Sequence, residues 1–446
     1  MFVNINYVLN RKSIENTRNS DYNISMIKRD YYLNELVKAI DIRKIKIITG
    51  IRRSGKSYLL FNIFKNYLIN AGVKDNQFII IELDKNEYLE LRKPERLIEY
   101  IDSKINRKKR MFLFIDEIQL IDGVKNNPGL LYSILRNYSD NEYLNIYITG
   151  SNSKFLSKDI ETEFRGRGHV IRIHPLSYKE YYGYIKDKKN ALKDYATYGG
   201  MPGIYDFKDK KDQINELNNY FNNVYINDIV DRYHIENPHY LNLIISELAS
   251  SIGSLASPTS IYKSLVANGY KDISLDTVAN YFIYLEESFL FSKCIQYNIK
   301  GKEYFKTKYK FYMEDMGLRN SKLGFRQLEP THIYENIVYL ELIRRGFLVD
   351  VGVIPKYEKN KQNKTILKEY EVDFIASKDP QKVYIQYVYH IENDDKYIQE
   401  TKSFRNIEDG YQKIIITNDE VLSKYSKDGY TIMNIEEFLL MDELFG

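Results

Sequence analysis

One stretch near the start of the chain constrains its fold most: "KIKIITGIRRSGKSYLLFNIF", in which β-forming residues lead into Gly50 and a helical pattern begins after Ser57. Residues 50–57 match the pattern G-x-x-x-x-G-K-[S/T]. Glycines let a loop wrap closely around a phosphate chain, so that backbone N–H groups and the positive end of the next helix face the phosphates. The stretch therefore predicts a phosphate-binding loop between a strand and a helix.

The residues of this loop have expected roles in binding ATP. Lys56 is expected to reach the β- and γ-phosphates, and Ser57 to bind Mg²⁺ through its hydroxyl. The expected contacts with the nucleotide come from Gly50, Ile51, Arg52, Arg53, Ser54, Gly55, Lys56, Ser57 and Tyr58. Arg52 and Arg53 have an alternative role, in which they brace a neighbouring domain.

A second motif, "RMFLFIDEIQ", places two carboxylates at the end of a hydrophobic run. An unpaired buried charge is unfavourable, so a carboxylate at this position needs a cation. We expect Asp116 to bind Mg²⁺ and Glu117 to polarise the water that attacks the γ-phosphate. The alternative is an acidic patch at a helix N-terminus. Together the two motifs predict a Mg²⁺-dependent ATPase.

Strand and helix patterns alternate over the first part of the chain. The β-rich runs are residues 44–49, 77–83, 111–116, 144–149 and 169–174. Helical patterns lie between them, near residues 56–71, 92–107 and 129–138. This alternation predicts an α/β fold with a parallel sheet that is covered on both faces.

Polar residues after the fourth and before the fifth run are further candidates. Parallel sheets bind ligands at the carboxyl ends of their strands, so we expect Ser151 or Asn152 to orient the attacking water, with a helix cap as the alternative. Arg165 and Arg167, in "EFRGRGHVIRIHPLS", are candidates for contact with phosphate charge, within one chain or across a subunit interface. Solvated surface arginines are the alternative for this pair.

The pattern changes after about residue 176. Helices rich in Tyr, Lys and Asn are interrupted by "YGGMPG". Three helical patterns over residues 237–300, with Ser257 and Ser274 as expected N-caps, precede the extended "FLFSKCIQYN" and predict a winged helix. The last stretch has β-runs at "EYEVDFIA", "VYIQYVY" and "KIIITN", and the polar "PKYEKNKQNKTILKEY" is predicted to be a loop.

Several of these motifs, in this order, resemble a group of bacterial and archaeal AAA-type ATPases. They are "ITGIRRSGKS", "LFIDEIQ", "ITGSNS", "FRGRGHVIRIHPLSYKEY" and "YATYGGMPGIYDF", followed by "KFYMEDMGLRNSKLGFR" and "YENIVYLELIRRGFLVD". The resemblance implies a P-loop sheet with strand order 5-1-4-3-2. It implies the same roles for the Lys56–Ser57 and Asp116–Glu117 pairs, a γ-phosphate sensor at Ser151–Asn152, and an arginine finger at Arg167.

The resemblance also implies a domain order. We expect an N-terminal extension over residues 1–27 and a P-loop ATPase core over 28–175. A helical lid over 176–235, a winged helix over 236–325 and a small α/β domain like restriction endonucleases over 326–446 would follow.

Whether the last domain cuts nucleic acid depends on its metal ligands. Such nucleases gather acidic residues and a lysine around Mg²⁺. Here the matching residues are Glu335, Asp373 and Gln386, and Val388 stands where the lysine is usual. One firm carboxylate, a second candidate and no lysine make a poor metal site. We therefore expect this domain to bind DNA or dock a partner rather than to cleave.

A basic run beside the predicted winged helix is the candidate DNA contact. The third helix, "SLDTVANYFIYLEES", carries acidic residues that repel phosphate, although such a helix can enter a major groove. Basic and aromatic residues interleave after it: Lys293, Lys300, Lys302, Tyr304, Phe305, Lys306, Lys308, Tyr309 and Lys310. Such a run could grip a nucleic-acid backbone. The alternatives are a solvated hairpin and a protein-binding surface.

Composition excludes some classes of protein. The 446 residues carry a net charge of +4, which allows a local nucleic-acid contact without demanding one. The single cysteine, Cys294, excludes disulfide frameworks and cysteine-based zinc sites, and we expect it in a core. No apolar run is long enough to cross a membrane, and "MFVNINYVLNRKS" is too polar for a signal peptide, so we expect a cytoplasmic protein.

Three functions compete at this point. The first is an ATPase that uses its nucleotide state to reposition the C-terminal domains on double-stranded DNA. The second is an ATP-dependent switch that changes which protein partner is accepted. The third is an ATP-gated nuclease, which Gln386 and Val388 disfavour. An arginine acting across an interface would need a homo-oligomer.

Overall fold

The structure is a computed structural model. It describes residues 27–106, 108–124, 127, 129–151, 168–359, 363–421 and 425–444. The chain divides into two compact units, residues 1–173 and 174–446. None of the helices in these ranges has the length and apolar character needed to cross a bilayer.

The first unit is built on a five-stranded parallel sheet. Its strands are β1 (Ile45–Thr49), β2 (Phe78–Glu82), β3 (Met111–Asp116), β4 (Leu144–Gly150) and β5 (Gly168–Arg172). Their spatial order is β2-β3-β4-β1-β5, and every pairing is parallel. Every residue of β1, β3 and β4 is buried, as expected for strands covered on both faces. The predicted α/β class and the 5-1-4-3-2 order are confirmed.

Helices cover both faces of this sheet. They are α1 (Asp30–Lys38), α2 (three consecutive segments, Lys56–Tyr58, Leu59–Phe64 and Lys65–Asn70), α3 (Pro94–Lys104) and α4 (Gly129–Ser139). The middle segment of α2 is a π-helix. Side chains of α1 and α2 pack with Phe112 and Phe114 of β3, whereas those of α3 and α4 pack with Leu113 and Ile115. The alternation along β3 thus serves two separate cores.

The second unit begins with helices. They are α5 (Tyr178–Tyr184), α6 (Ala191–Tyr198), α7 (Lys210–Asn219), α8 (Asn227–Tyr233), α9 (Pro238–Ser250), α10 (Pro258–Ala267) and α11 (Leu275–Glu287). A π-helical segment, Tyr220–Ile226, joins α7 to α8. The expected N-caps are present, because Ser257 Oγ accepts from the N–H of Ser260 and Ser274 Oγ from that of Thr277. These bonds fix where α10 and α11 begin.

The glycines of "YGGMPG" allow the loop after α6 to pack closely. The Asp315 carboxylate accepts a hydrogen bond from the N–H of Gly200 at 2.6 Å. It also caps the helix Met316–Lys322, because it accepts from the N–H of Leu318. A Cβ on Gly200 would lie 2.3 Å from the carbonyl oxygen of Leu176. This loop therefore tolerates no side chain there without a backbone shift.

An eight-stranded sheet completes the second unit. Its strands are β6 (Leu255–Ala256), β7 (Phe291–Asn298), β8 (Glu303–Met313), β9 (Leu348–Lys359), β10 (Thr365–Lys378), β11 (Gln381–Val388), β12 (Gln412–Thr417) and β13 (Thr431–Asn434). The helices among and after them are α12 (Met316–Lys322), α13 (Pro330–Arg344), α14 (Asp394–Glu400) and α15 (Ile435–Leu440).

The order of this sheet is β13-β12-β11-β10-β9-β7-β8-β6. A parallel pairing of β7 with β9, between residues 296–298 and 351–353, makes it continuous. One sheet therefore runs through both the predicted winged helix and the predicted nuclease-like domain.

The segment predicted to be a loop, residues 355–370, is mostly strand, so that prediction was wrong. β9 and β10 form an antiparallel ribbon, with Lys359 opposite Thr365 and Ile354 opposite Tyr370. Residues 365–369 are all exposed. A ribbon with solvent on its sides needs no alternation of polar and apolar residues, which is the pattern that identifies most strands.

Candidate nucleotide-binding site

The loop from Gly50 to Ser57 connects β1 to α2 and depends on its glycines. Gly55 has φ 91°, a left-handed conformation that side chains disfavour. Gly50 has φ 138°, and a Cβ there would lie 2.0 Å from the carbonyl oxygen of Ile173. The motif therefore forms the strand–loop–helix turn that the sequence predicts.

Lys56 is the first residue of α2 and is 4% exposed. Its Nζ donates hydrogen bonds to the carbonyl oxygens of Gly50, at 3.1 Å, and Ile51, at 3.0 Å. The ammonium group thus lies against the backbone of the loop that is expected to wrap the phosphates. A positive charge at the start of this helix is compatible with the phosphate-binding role that the sequence predicts for Lys56.

Ser57 and Asp116 meet between α2 and β3. The Ser57 hydroxyl donates a 3.1 Å hydrogen bond to Asp116 Oδ1, and the hydroxyl of Thr149, on β4, donates to the same oxygen. Burial raises the pKa of Asp116 to about 6, with a smaller rise from Glu117 and opposing effects of the two hydroxyls. A hydroxyl beside a buried carboxylate is a hard oxygen donor set, so these residues fit Mg²⁺.

Glu117 follows β3 in a left-handed conformation, with φ 53°. Its N–H donates to Thr149 Oγ1 at 3.0 Å, and its side chain accepts a hydrogen bond from Gln119. Left-handed backbone in a residue other than glycine is destabilising by about 1–3 kcal/mol and persists where the surroundings fix it. The turn holds Glu117 beside Asp116 at the carboxyl end of the sheet.

The remaining predicted residues fall into three groups. Ile51 and Ser54 are buried, and so is Ser151, which directly follows β4. The exposed members of the loop are Arg52, Arg53 and Tyr58. Asn152, Arg165 and Arg167 lie outside the described residues.

Sequence reasoning missed two residues of this site. Thr149 contacts both Asp116 and Glu117, two positions before the predicted Ser151; its place at the end of a strand next to β3 was the available signal. Arg29 is 5% exposed, and its Nη1 donates to the carbonyl oxygen of Ser54 at 3.1 Å. Nothing local marks Arg29, because it precedes the motif by more than twenty residues.

Glu335, Asp373 and Gln386, the residues considered for a nuclease site, also come together, in the second unit. The N–H of Asp373 donates to Gln386 Oε1 at 3.4 Å. The expectation that no lysine joins them was wrong, because Lys310 Nζ lies 3.1 Å from Glu335 Oε1 and 4.0 Å from Asp373 Oδ1. This lysine comes from β8, far in the chain from the strand position where the nuclease pattern has its lysine.

The strand order, the loop and the acidic end of β3 define an AAA-type P-loop ATPase fold. Residues 42–182 match a family described as "AAA domain", and residues 189–329 match a domain of unknown function, DUF8612. An uncharacterized protein of Haemophilus influenzae is 32% identical over 423 residues, which cover 93% of this chain and 99% of that protein. The chain belongs to the same protein family as this relative.

A second relative comes from an archaeon. An uncharacterized protein of Methanocaldococcus jannaschii is 30% identical over 434 residues, covering 91% of this chain and 90% of that one.

Two solved structures are also similar. A Walker-type ATPase of Pyrococcus abyssi is 15% identical with a TM-score of 0.47, covering 67% of this chain and 96% of that one. Cdc6p of Pyrobaculum aerophilum is 12% identical with a TM-score of 0.28, covering 69% of this chain and 98% of that one.

Proposed function

We propose that this protein binds ATP with Mg²⁺ and hydrolyses it. The observation that carries the proposal is the hydrogen bond between Ser57 and Asp116, since it brings the two expected Mg²⁺ ligands into one place. Bound Mg²⁺ would neutralise charge on the β- and γ-phosphates. Lys56 binds the same phosphates, and Glu117 accepts a proton from the attacking water.

Further roles belong to the same proposal. Ser151 or Asn152 orients the water, and Arg167 or Arg165 contacts the charge that develops on the γ-phosphate, from the same chain or from a second copy. We also propose that the domains end where the sequence predicts, at residues 27, 175, 235 and 325.

Two variants separate binding from hydrolysis. Lys56→Ala removes the ammonium that contacts the phosphates and should abolish both ATP affinity and turnover. Glu117→Gln keeps the shape of the side chain, so it should retain ATP affinity and lower kcat by about 10²–10⁴-fold, the usual contribution of a general base. Phosphate release and ATP binding are measured on the same preparations. A kcat in Glu117→Gln that stays close to the wild-type value would contradict the assigned role.

We also propose that the second unit couples the nucleotide state to double-stranded DNA. The element order α9-β6-α10-α11-β7-β8, with β8 pairing to both β6 and β7, supports the proposal of a winged helix. The basic run after α11 is less available for DNA than its sequence suggests. Lys310 is buried, Lys300 pairs with Glu408 at 3.2 Å, and Lys293 Nζ lies 3.9 Å from the ring centre of Tyr309.

The ribbon of residues 355–370 is the better candidate for the DNA contact. It contains five lysines and two glutamates, and among the described residues no third strand pairs with its outer part. Tyr357 and Leu367 are cross-strand partners that are 74% and 53% exposed. A two-stranded ribbon fits the major groove, and positive charge with apolar side chains suits phosphates and base edges.

A titration of labelled double-stranded DNA tests the coupling. Affinity is measured with and without ATP at several salt concentrations. In the variant Lys356→Gln/Lys359→Gln/Lys368→Gln, the log–log salt slope should fall by about 0.9 for each DNA phosphate that the protein no longer neutralises. The control Lys44→Gln/Lys104→Gln/Lys108→Gln removes equal charge from exposed positions of the first unit and should leave the slope unchanged.

The outcomes of this titration are distinct. An equal decrease of the salt slope in both triple variants would refute the ribbon as the DNA contact, although the protein would still bind DNA. ATP binding without DNA affinity at low salt would refute the coupling and favour the protein-interaction switch. Neither result alters the ATPase assignment, which the Lys56 and Glu117 variants test separately.

A further inference from the structure

A cluster of charged side chains lies inside the second unit. Lys310 on β8 is surrounded by Glu335 on α13 and by Glu371 and Asp373 on β10. Its Nζ lies 2.7 Å from Glu371 Oε1, 3.1 Å from Glu335 Oε1 and 4.0 Å from Asp373 Oδ1. Three carboxylates therefore surround one ammonium group.

Three members of the cluster are buried: Lys310 is 4% exposed, Glu335 7% and Asp373 8%. The Glu371 side chain is 38% exposed. The Tyr312 hydroxyl donates to Glu335 Oε1 at 2.7 Å, and the N–H of Tyr387 donates to Asp373 Oδ2 at 2.8 Å. A buried charge persists when it is paired and hydrogen-bonded, and these bonds meet that condition.

Two backbone features bring the carboxylates to the lysine. The register of β10 against β9 shifts between Val372 and Ile375, so Asp373 sits in an irregularity of the strand, a feature that re-aims side chains. On the other side, a Cβ on Gly253 would lie 3.0 Å from Glu335 Oε1. The backbone of Gly253 therefore closes the cluster against Glu335.

The charges of these groups depend on one another. Burial raises the pKa of Asp373 well above its usual range, and Glu335 adds to this rise while Lys310 opposes it. Burial alone would lower the pKa of Lys310, but Glu335, Asp373 and Glu371 outweigh that effect and raise it. The three carboxylates therefore favour the ammonium form of Lys310.

We infer that the Lys310 ammonium is the permanent cation of this cluster and takes the place that a divalent metal ion would need. Carboxylate oxygens are ligands of Mg²⁺ and Mn²⁺, so three of them without an internal cation would attract one. A metal ion would have to displace the Lys310 ammonium from these carboxylates, so the inference predicts no metal-dependent hydrolysis in the second unit.

Metal rescue tests the inference on the full chain without nucleotide. Lys310→Ala leaves the carboxylates uncompensated, so its unfolding midpoint in EDTA should fall below that of the wild type. Millimolar Mn²⁺ should raise the midpoint of Lys310→Ala by several degrees more than that of the wild type. The double variant Lys310→Ala/Asp373→Asn should lose this gain.

Lys46→Ala is the matched control. Lys46 is 2% exposed, and its Nζ donates to the amide oxygen of Asn145 at 3.0 Å, so its removal leaves no carboxylate cluster behind. Lys310→Ala and Lys46→Ala both keep Ser57 and Asp116, so Mn²⁺ that binds at the nucleotide-binding site should shift the unfolding midpoints of the two variants equally. Lys46→Ala should be destabilised, with no additional gain from Mn²⁺.

Direct Mn²⁺ binding provides the second readout, in an Asp116→Asn background that removes the expected metal ligand of the first unit. The chain with Lys310 should bind no Mn²⁺ in the second unit, and the chain with Lys310→Met, which keeps the side-chain volume, should bind one ion. An ion that binds with Lys310 present and disappears in Asp373→Asn overturns the inference. So does a Lys310→Met chain that gains no Mn²⁺ affinity.

Discussion

The Ser57 hydroxyl and the Asp116 carboxylate are joined by a hydrogen bond of 3.1 Å. One residue comes from the loop that opens α2, and the other is the last residue of β3. They are 59 residues apart in the chain, yet the parallel sheet brings their carboxyl-end positions together. Two motifs that the sequence offers separately thus form one site.

The buried carboxyl of Asp116 predicts a pH dependence of stability in the absence of metal and nucleotide. Its pKa is about 6 in the folded chain and 3.8 in the unfolded chain, so the folded state binds more protons between these values. Stability therefore falls as pH rises from about 3 to about 7, by about 3 kcal/mol in total from this group, with about 2 kcal/mol of the loss between pH 4 and pH 6. Urea unfolding across this range should show the slope in the wild type.

Asp116→Asn is the control for this slope, because the amide does not titrate. As pH rises, the free energy of unfolding of the wild type should fall relative to that of Asp116→Asn. A constant difference from pH 4 to pH 7 would show that the carboxyl is not buried as described.

The Thr149 hydroxyl predicts a role for a residue that precedes the expected sensor. Thr149→Val removes the bonds to Asp116 and to the Glu117 N–H while keeping the side-chain volume. Losing a buried hydrogen bond to a charged group is worth about 1.5–3 kcal/mol, so kcat should fall about 10- to 100-fold. Steady-state ATPase kinetics measure this, and Ser151→Ala is the comparison. If kcat falls further in Ser151→Ala than in Thr149→Val, Ser151 is the more important of the two residues for hydrolysis, which would contradict this prediction.

The close approach of Gly200 to Leu176 predicts a destabilised second unit when a side chain is added. Gly200→Ala forces a backbone shift and should lower the free energy of unfolding by about 1–3 kcal/mol. Gly183, in α5, has nothing within 4 Å of an added Cβ, so Gly183→Ala should be neutral or stabilising by up to about 1 kcal/mol. Thermal unfolding compares the two, and equal effects would contradict the packing of this loop.

The elements that carry the nucleotide-binding site could be predicted from the sequence, because their signals are local. The predicted run 111–116 coincides with β3, since a fully buried strand is a continuous apolar run. The loop at 50–57 is set by glycine conformation and by the strand and helix on either side of it. Ser257 and Ser274 cap helices for an equally local reason.

The residues that escaped prediction depend on contacts between distant parts of the chain. Lys310 meets Glu335 and Glu371 only after β8, α13 and β10 have assembled, and its sequence neighbourhood is that of a surface lysine. Arg29 binds the carbonyl of Ser54 from a position that no motif includes. The ribbon at 355–370 escaped because both of its sides face solvent, so its residues show no alternation of polar and apolar side chains.

The most direct test of the proposed ATP site is a calorimetric titration of ATP into the purified chain, with Mg²⁺ and with EDTA, for the wild type and Lys56→Ala. We expect micromolar affinity with Mg²⁺ in the wild type, weaker binding in EDTA and none in Lys56→Ala. A wild-type chain that shows no affinity for ATP in the presence of Mg²⁺, or an affinity that Lys56→Ala leaves intact, would contradict it.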